Sequence, residues 1–246
     1  MATPVKLYQQ EMHRNLGYFA TWLPTSILEL GDIGVWEGGR FRKVASLTEL
    51  GLGTGAIREG NSENMSYSAS AKRSMGVSAG ASSTVPLGSA ELSIQFSSQG
   101  GFVFDATGVR NIEIAERIQL GEKMLQAYRQ GHWQKEWMLV EAMYRADSAT
   151  IIVSEDSSSE IVLKAEANVP LGTLPLSDPK VGLNVSSTSG KIVHVVAAGG
   201  LSPLYSCLKV DKPIFSDAKV VPVLGLSGAK GSEVLFRPSI ADLLDS

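Results

Sequence analysis

Polar and apolar positions alternate, with one exception, along "NMSYSASAKRSMGVSAGASS", residues 64–83. Met65, Tyr67, Ala69, Ala71, Met75, Val77, Ala79 and Ala81 fall on one side. Asn64, Ser66, Ser68, Ser70, Lys72, Ser74, Gly76, Ser78, Gly80 and Ser82 fall on the other, and Arg73 alone puts a charge on the apolar side. A period of two held this long predicts a two-faced strand. Strands in soluble proteins average about five or six residues, so this one asks for an explanation. A second run answers it, with Ala90, Leu92, Ile94, Phe96, Phe102, Phe104 and Ala106 apolar and Glu91, Ser93, Gln95 and Ser97 polar between them. The segment "STVPLG" supplies turn residues Pro86 and Gly88 between the runs. One long antiparallel hairpin over residues 64–106 is expected.

The same alternation returns in "EWMLVEAMYRADSATIIV", where Met138, Val140, Ala142, Tyr144 and Ala146 face one way. After the polar run "SEDSSSE" it continues with Ile161, Leu163, Ala165, Ala167 and Val169, which predicts a second long hairpin. A third, shorter one is expected from "KVGLNV" to "KIVHVVAA", and a tight one in "DIGVWEGGRFRKV" around Gly38 and Gly39. Helical spacing of Val5, Tyr8, Met12 and Leu16 predicts a helix stopped by Gly17. A second helix is expected in "NIEIAERIQLGEKMLQAYRQG" from Ile114, Ile118, Leu125 and Tyr128. Ser46 and Glu49 have the spacing of a capping box. The fold class is α+β, a twisted and mostly antiparallel sheet with long amphipathic β-hairpins and a few packing helices. Residues 1–225 are expected to form this domain, and residues 226–246 a linker with a short C-terminal tail.

Composition narrows the chemistry. Net charge is −3 and there is no block of Lys or Arg, which argues against nucleic acid as a partner. The single cysteine, Cys207, excludes an internal disulfide and is expected to be a buried, inert thiol in a reducing compartment. "MATPVKLYQQEMHRNLG" has no apolar core of a secretory signal, so a cytoplasmic protein is expected. His13, His132 and His194 lie far apart with no partner at metal-ligand spacing, and His194 reads as a strand residue. "GLGTGAIREG" has glycines without the strand-to-helix context or the Lys-Ser/Thr of a phosphate loop, and reads as a flexible loop. Nothing here argues for an enzyme, a cofactor or a metal.

A strand that crosses a bilayer needs about 9–11 residues, apolar outward and polar inward. Ser74–Ser83 is ten residues without a formal charge. In that setting Met75, Val77, Ala79 and Ala81, with Ala90, Leu92, Ile94 and Phe96 on the return strand, form the lipid-facing set. Lys72 and Arg73 then sit at the headgroup level, where a lipid-facing cation costs about 0–1 kcal/mol rather than 2–4 at the midplane. On the second hairpin the equivalent residues are Val140, Ala142, Tyr144, Ile161, Leu163 and Ala165, with a tip made costly to translocate by Glu155, Asp156 and Glu160. Hairpins of this kind insert as a homo-oligomer, because one alone leaves bare edges in lipid. The alternative is an amphipathic sheet with one wet face, in a soluble partner-binding or assembly protein that uses its hairpin edges.

The order of elements, a helix, a short hairpin, a long Ser-rich hairpin, a helix, then "WMLVEAMYRADSATIIV", resembles the gasdermin pore-forming domain over residues 1–198, at the length of the compact bacterial members. The resemblance implies an autoinhibited cytoplasmic monomer, released by an activating protease, that moves to the lipid membrane, oligomerises into pores and acts in cell death or antiphage defence. It also implies a C-terminal tail as the brake, here with Leu235, Phe236, Ile240, Leu243 and Leu244 as its apolar contacts. Many bacterial gasdermins carry a lipidated N-terminal cysteine, and this sequence has none there.

Overall fold

The computed structural model describes residues 4–21, 28–37, 40–69, 71–77, 90–165, 176–177, 183–213 and 217–223. In chain order the elements are α1 (Pro4–Leu16), β1 (Phe19–Ala20), β2 (Asp32–Glu37), β3 (Arg40–Ser46), β4 (Ile57–Glu59), β5 (Glu63–Ala69), β6 (Ala71–Val77), β7 (Ala90–Phe96), β8 (Phe102–Ile114), α2 (Arg117–Arg129), β9 (Met138–Ser154), β10 (Ser159–Ala165), β11 (Leu183–Ser189), β12 (Ile192–Asp211) and β13 (Lys219–Pro222). The architecture is α+β and mostly antiparallel sheet, as the alternation requires.

The elements have local causes that the sequence displays. α1 buries Tyr8 and Met12 on one stripe, with Leu16 packed beside them, and ends at Gly17 with φ +71°. β2 and β3 pair from Asp32↔Ser46 to Glu37↔Arg40, the expected tight hairpin. The Ser46 hydroxyl accepts from the Glu49 N–H at 3.2 Å and donates to Glu49 Oε2 at 2.8 Å, capping a single turn. α2 starts three residues later than Ile114, which closes β8 instead. Its buried stripe is Leu120, Met124 and Ala127, and Ile118 is 81% exposed. Arg117 ties the first turn of α2 to the sheet through ion pairs to Glu113 at 3.1 Å and to the buried Glu141 at 2.7 Å. Glu141 also accepts from the Ser206 hydroxyl at 2.7 Å, so this buried carboxylate is partnered on both sides.

In the larger sheet β9 is central: β12 runs along one side and β8 and β2 along the other. β5 and β4 pair with β8, and β1 and β13 with β12. The smaller sheet has the order β11-β10-β7-β6. The first expected hairpin is present as pairing. β5 lies against β8 from Met65↔Ala106 to Ala69↔Phe102, and β6 against β7 from Ala71↔Phe96 to Val77↔Ala90.

The second expected hairpin is corrected. β9, with Val140, Ala142 and Tyr144, pairs with β8 and β12. β10, with Ile161, Leu163 and Ala165, pairs with β7 and β11. "SEDSSSE" is therefore a crossing between two sheets and not a hairpin turn. The third expected hairpin fails in the same way, because β11 pairs with β10 and β12 with β9. Alternation assigns a residue to a face, and it does not choose the neighbouring strand. "AIRE" within the expected loop contains β4, three residues held to β8 by Ile57↔Ile114 and by an Arg58–Glu113 ion pair.

Candidate functional site: a sheet folded back on itself

The two sheets share one order of chain. At one end of the larger sheet the adjacent strands are β5, β8, β9 and β12, and in the smaller sheet they are β6, β7, β10 and β11. Each strand of the second set follows or precedes its counterpart closely in sequence: β6 begins two residues after β5 ends, and residues 97–101, 155–158 and 190–191 join the other three pairs. The molecule thus contains four long antiparallel strands, each bent once at the same level. Backbone bonds knit the bend, with Gly100 donating to Ser154 and Ser154 to Gly101 at 2.8 Å, and Glu155 donating to Lys191 at 2.8 Å. Two hairpins result, residues 63–114 and residues 138–211, and the second is longer than the sequence pattern alone indicated.

The bend turns the strands over. In the larger sheet Phe102, Phe104, Ala106, Ala149, Ile151 and Val153 form one cluster with Met65, covered by Tyr8 and Met12 of α1. Val103 and Ile152 point to the opposite face, where they meet Leu92, Ile94, Phe96, Ile161 and Leu163 of the smaller sheet. These five apolar residues, assigned from the sequence to the two hairpins, are all at most 4% exposed. Val140, Ala142 and Tyr144 are also buried, inside the larger sheet. Met75 and Val77 pair with Leu92 and Ala90, and Ala165 with Leu183. Ala79, Ala81 and the tail residues Leu235, Phe236, Ile240, Leu243 and Leu244 lie outside the described residues.

Even spacing decides what a straightened strand would look like, since residues an even number apart share a face. Ala69 and Ala71 are two apart, Phe96 and Phe102 six, and Val153 and Ile161 eight. Across the bend, the first cluster and the smaller-sheet members of the second therefore belong to one face of each of the first three strands, in different layers, while Val103 and Ile152 belong to the opposite face. The outer face of the smaller sheet is polar and internally paired. Lys164 meets Glu91 at 2.7 Å, and Ser93 donates to Glu160.

Polar groups sit inside the fold-over as well. Arg73 on β6 donates to Asp105 on β8 at 2.9 Å, and Asp105 is 2% exposed. Burial pushes the Asp105 carboxyl above its usual range, against the pull of Arg73 and of the Ser66 hydroxyl. The Thr150 hydroxyl donates to Leu176 at 3.3 Å and that of Ser148 to Ser177, which seats residues 176–177 over the same face. Asp105, Ser148, Thr150 and Ser154 were not singled out in the sequence. Asp105 could have been, as the one charge in an otherwise uncharged strand segment, residues 102–109.

His194 is a strand residue, paired with Ile152 and so on the face that looks into the fold-over. Its Nε2 is buried without a hydrogen-bond partner among the described residues. Burial holds its pKa below the ordinary histidine value. The folded form then favours the neutral ring, so its contribution is present above about pH 6.5 and is lost as pH falls through the depressed value. Asp105 acts in the opposite sense, because a raised carboxyl pKa favours the folded form as pH falls. Melting at pH 7.5 and 5.5 is expected to show His194→Gln gaining Tm at the acid end relative to the parent protein. The same pH dependence of Tm in both proteins would remove His194 as a contributor. Among the described residues no helix is long and apolar enough to cross a membrane, and no group of three His, Cys, Asp or Glu side chains could hold a metal ion. Cys207 is buried on β12, as expected.

A cryo-electron microscopy structure of the gasdermin A3 membrane pore is similar to this chain. Identity is 13%, the alignment covers 90% of this chain and 95% of that one, and the TM-score is 0.38. No family model matches the chain, and no curated protein matches it.

Proposed function

We propose that this chain is a regulated β-pore former that is made as a folded-over monomer and straightens two hairpins into a membrane as an oligomer. The observation that carries this is the even spacing across the bend. Opening the fold-over without changing register brings Phe102, Phe104, Ile151 and Val153 onto one face with Leu92, Ile94, Phe96, Ile161 and Leu163, and leaves mostly Ser, Thr, Gln and charged residues on the other, where Val103, Ile152 and Val162 are the apolar members. A water-packed sandwich does not require that coincidence, and a bilayer-spanning sheet does. β6 and β11 are edge strands of the smaller sheet, each paired on one side among the described residues. Copies added edge to edge would satisfy them and close a barrel. Within residues 226–246, the tail carrying Leu235, Phe236, Ile240, Leu243 and Leu244 is assigned as the brake, with the Gly/Ser-rich run before those residues as the protease site.

Dye release from liposomes tests this directly, comparing the full-length chain with one cut near Gly231. Leakage is expected only after the cut. Ala79→Asp in the cut chain is expected to reduce release to background, since the sequence alternation puts residue 79 on the apolar side of an uncharged stretch. An unchanged melting curve for this variant would separate lost insertion from lost folding. Leakage from the uncut chain would discard the tail as brake. No leakage from any folded form would favour a soluble partner-binding protein, for which the exposed strand edge of β11, Asn184–Ser189, is the natural docking element.

A further inference from the structure

Arg73 interrupts an apolar face, and its partner explains where it is useful. In the folded-over form its guanidinium reaches Asp105 at 2.9 Å and the Ser66 hydroxyl at 3.4 Å. Arg73 pairs with Ile94, and Asp105 with Thr150 and with Ser66. Consider the same two residues on a straight sheet. Arg73 is four residues from Ala69 and shares its face, the face of Phe102 and Phe104, whereas Asp105 adjoins Phe104 and takes the opposite face. The neighbour of Asp105 on the first strand is Ser66, seven residues from Arg73, or about 23 Å along an extended chain. The ion pair can exist only while the smaller sheet lies on the larger one.

We propose that Arg73 and Asp105 form a state-specific latch, a charge pair across the two sheets that holds the fold-over shut and sets how readily it opens. The pair deepens the pore-forming reading, because it is made only in the form that precedes insertion. Asp105 is closed off from water and Arg73 keeps 31% of its side chain exposed. Losing Asp105 thus leaves a cation that can turn outward, and losing Arg73 leaves a carboxylate that must either open the sheets or take up a proton. The raised carboxyl pKa of Asp105 fits a group whose burial is only partly offset by its partner.

Amide hydrogen exchange on the full-length chain at pH 7.5, without a membrane, tests the latch. Asp105→Asn and Arg73→Met are each expected to speed exchange in residues 90–96 and 159–165 about tenfold, with residues 143–153 unchanged. The double variant is expected to exchange no faster than either single one, and Arg73→Lys to fall between. Unchanged exchange in the smaller sheet, equal acceleration in residues 143–153, or additive single effects would overturn the latch. Accelerated exchange of the expected kind, with no dye release from any cut variant, would remove the pore and keep the latch.

Discussion

Ile161→Asp is expected to loosen the smaller sheet and, in the same protein, to abolish dye release. Ile161 is fully buried between Ile94 on one neighbour and Thr188 on the other, facing Ile152 and Val103. A carboxylate there has no partner in an apolar cluster, and its cost is on the order of 4 kcal/mol. That is a large part of the roughly 5–15 kcal/mol that holds a domain together, but opening the smaller sheet alone relieves it. The membrane then decides between two kinds of loosening. Asp105→Asn loosens the fold-over without placing a charge on the apolar face, so its leakage should rise. Ile161→Asp carries a charge onto that face in every subunit of an oligomer, and its leakage should fall to background even though the sheet opens more easily. Ile161→Ala is the control for packing, expected to cost about 2–5 kcal/mol and to retain leakage. Dye release from Ile161→Asp equal to that of the parent would show that the face now packed inward is not the one that meets lipid.

Much of this arrangement is legible in the chain itself. α1 was marked by its Tyr8 and Met12 stripe, and the hairpin over residues 64–106 by two alternating runs of matching phase joined by a Pro-Gly turn. In both cases the deciding contacts are local, or lie across one turn. The second helix was harder because Ile114, at the end of a strand, continued the helical spacing and shifted the expected buried face. Leu120, Met124 and Ala127 carry the centre of that face, with the expected Leu125 and Tyr128 partly buried beside them. β4 escaped because three residues with two charges have no apolar pattern, and its pairing with β8 is strengthened by charge rather than by burial.

The bend itself was not legible, for a physical reason. A polar run of five to seven residues between two alternating segments serves equally as a hairpin turn or as a crossing to another layer. The choice is made by apolar area distant in sequence: Ile161 and Leu163 are buried against Leu92, Ile94 and Val103, and not against β9's own pairing edge. Arg73 was visible as an anomaly and Asp105 as a lone charge among aromatic residues, yet only the fold-over brings them together across 32 positions. The even spacing on both sides of the bend was present in the sequence throughout. It acquired meaning once the crossing points were known.

A disulfide across the bend is expected to convert the protein into one whose leakage is switched by reductant. Ser154 ends β9 and Ser159 begins β10, and their hydroxyl oxygens lie 2.6 Å apart, both side chains buried. Two sulfurs replacing those oxygens need only a small adjustment to bond, whereas residues five apart on a straight strand are separated by about 16 Å. Ser154→Cys/Ser159→Cys therefore permits the bridge only in the bent form, and the bridge forbids straightening of the third strand. The closed loop is short and local, so the gain in global stability is modest and folding should be undisturbed. Cys207 is buried 1% exposed on β12 and is not positioned to compete. The cut, oxidised double variant is expected to release no dye, and to regain the full release of the cut parent after dithiothreitol, with mass spectrometry confirming the bridge. Each single variant should leak under both conditions. The lock touches only the second hairpin, residues 138–211, and leaves the first free to open. Leakage undiminished by oxidation would mean that the first hairpin crosses the membrane without the second, and the four-stranded unit would have to be given up.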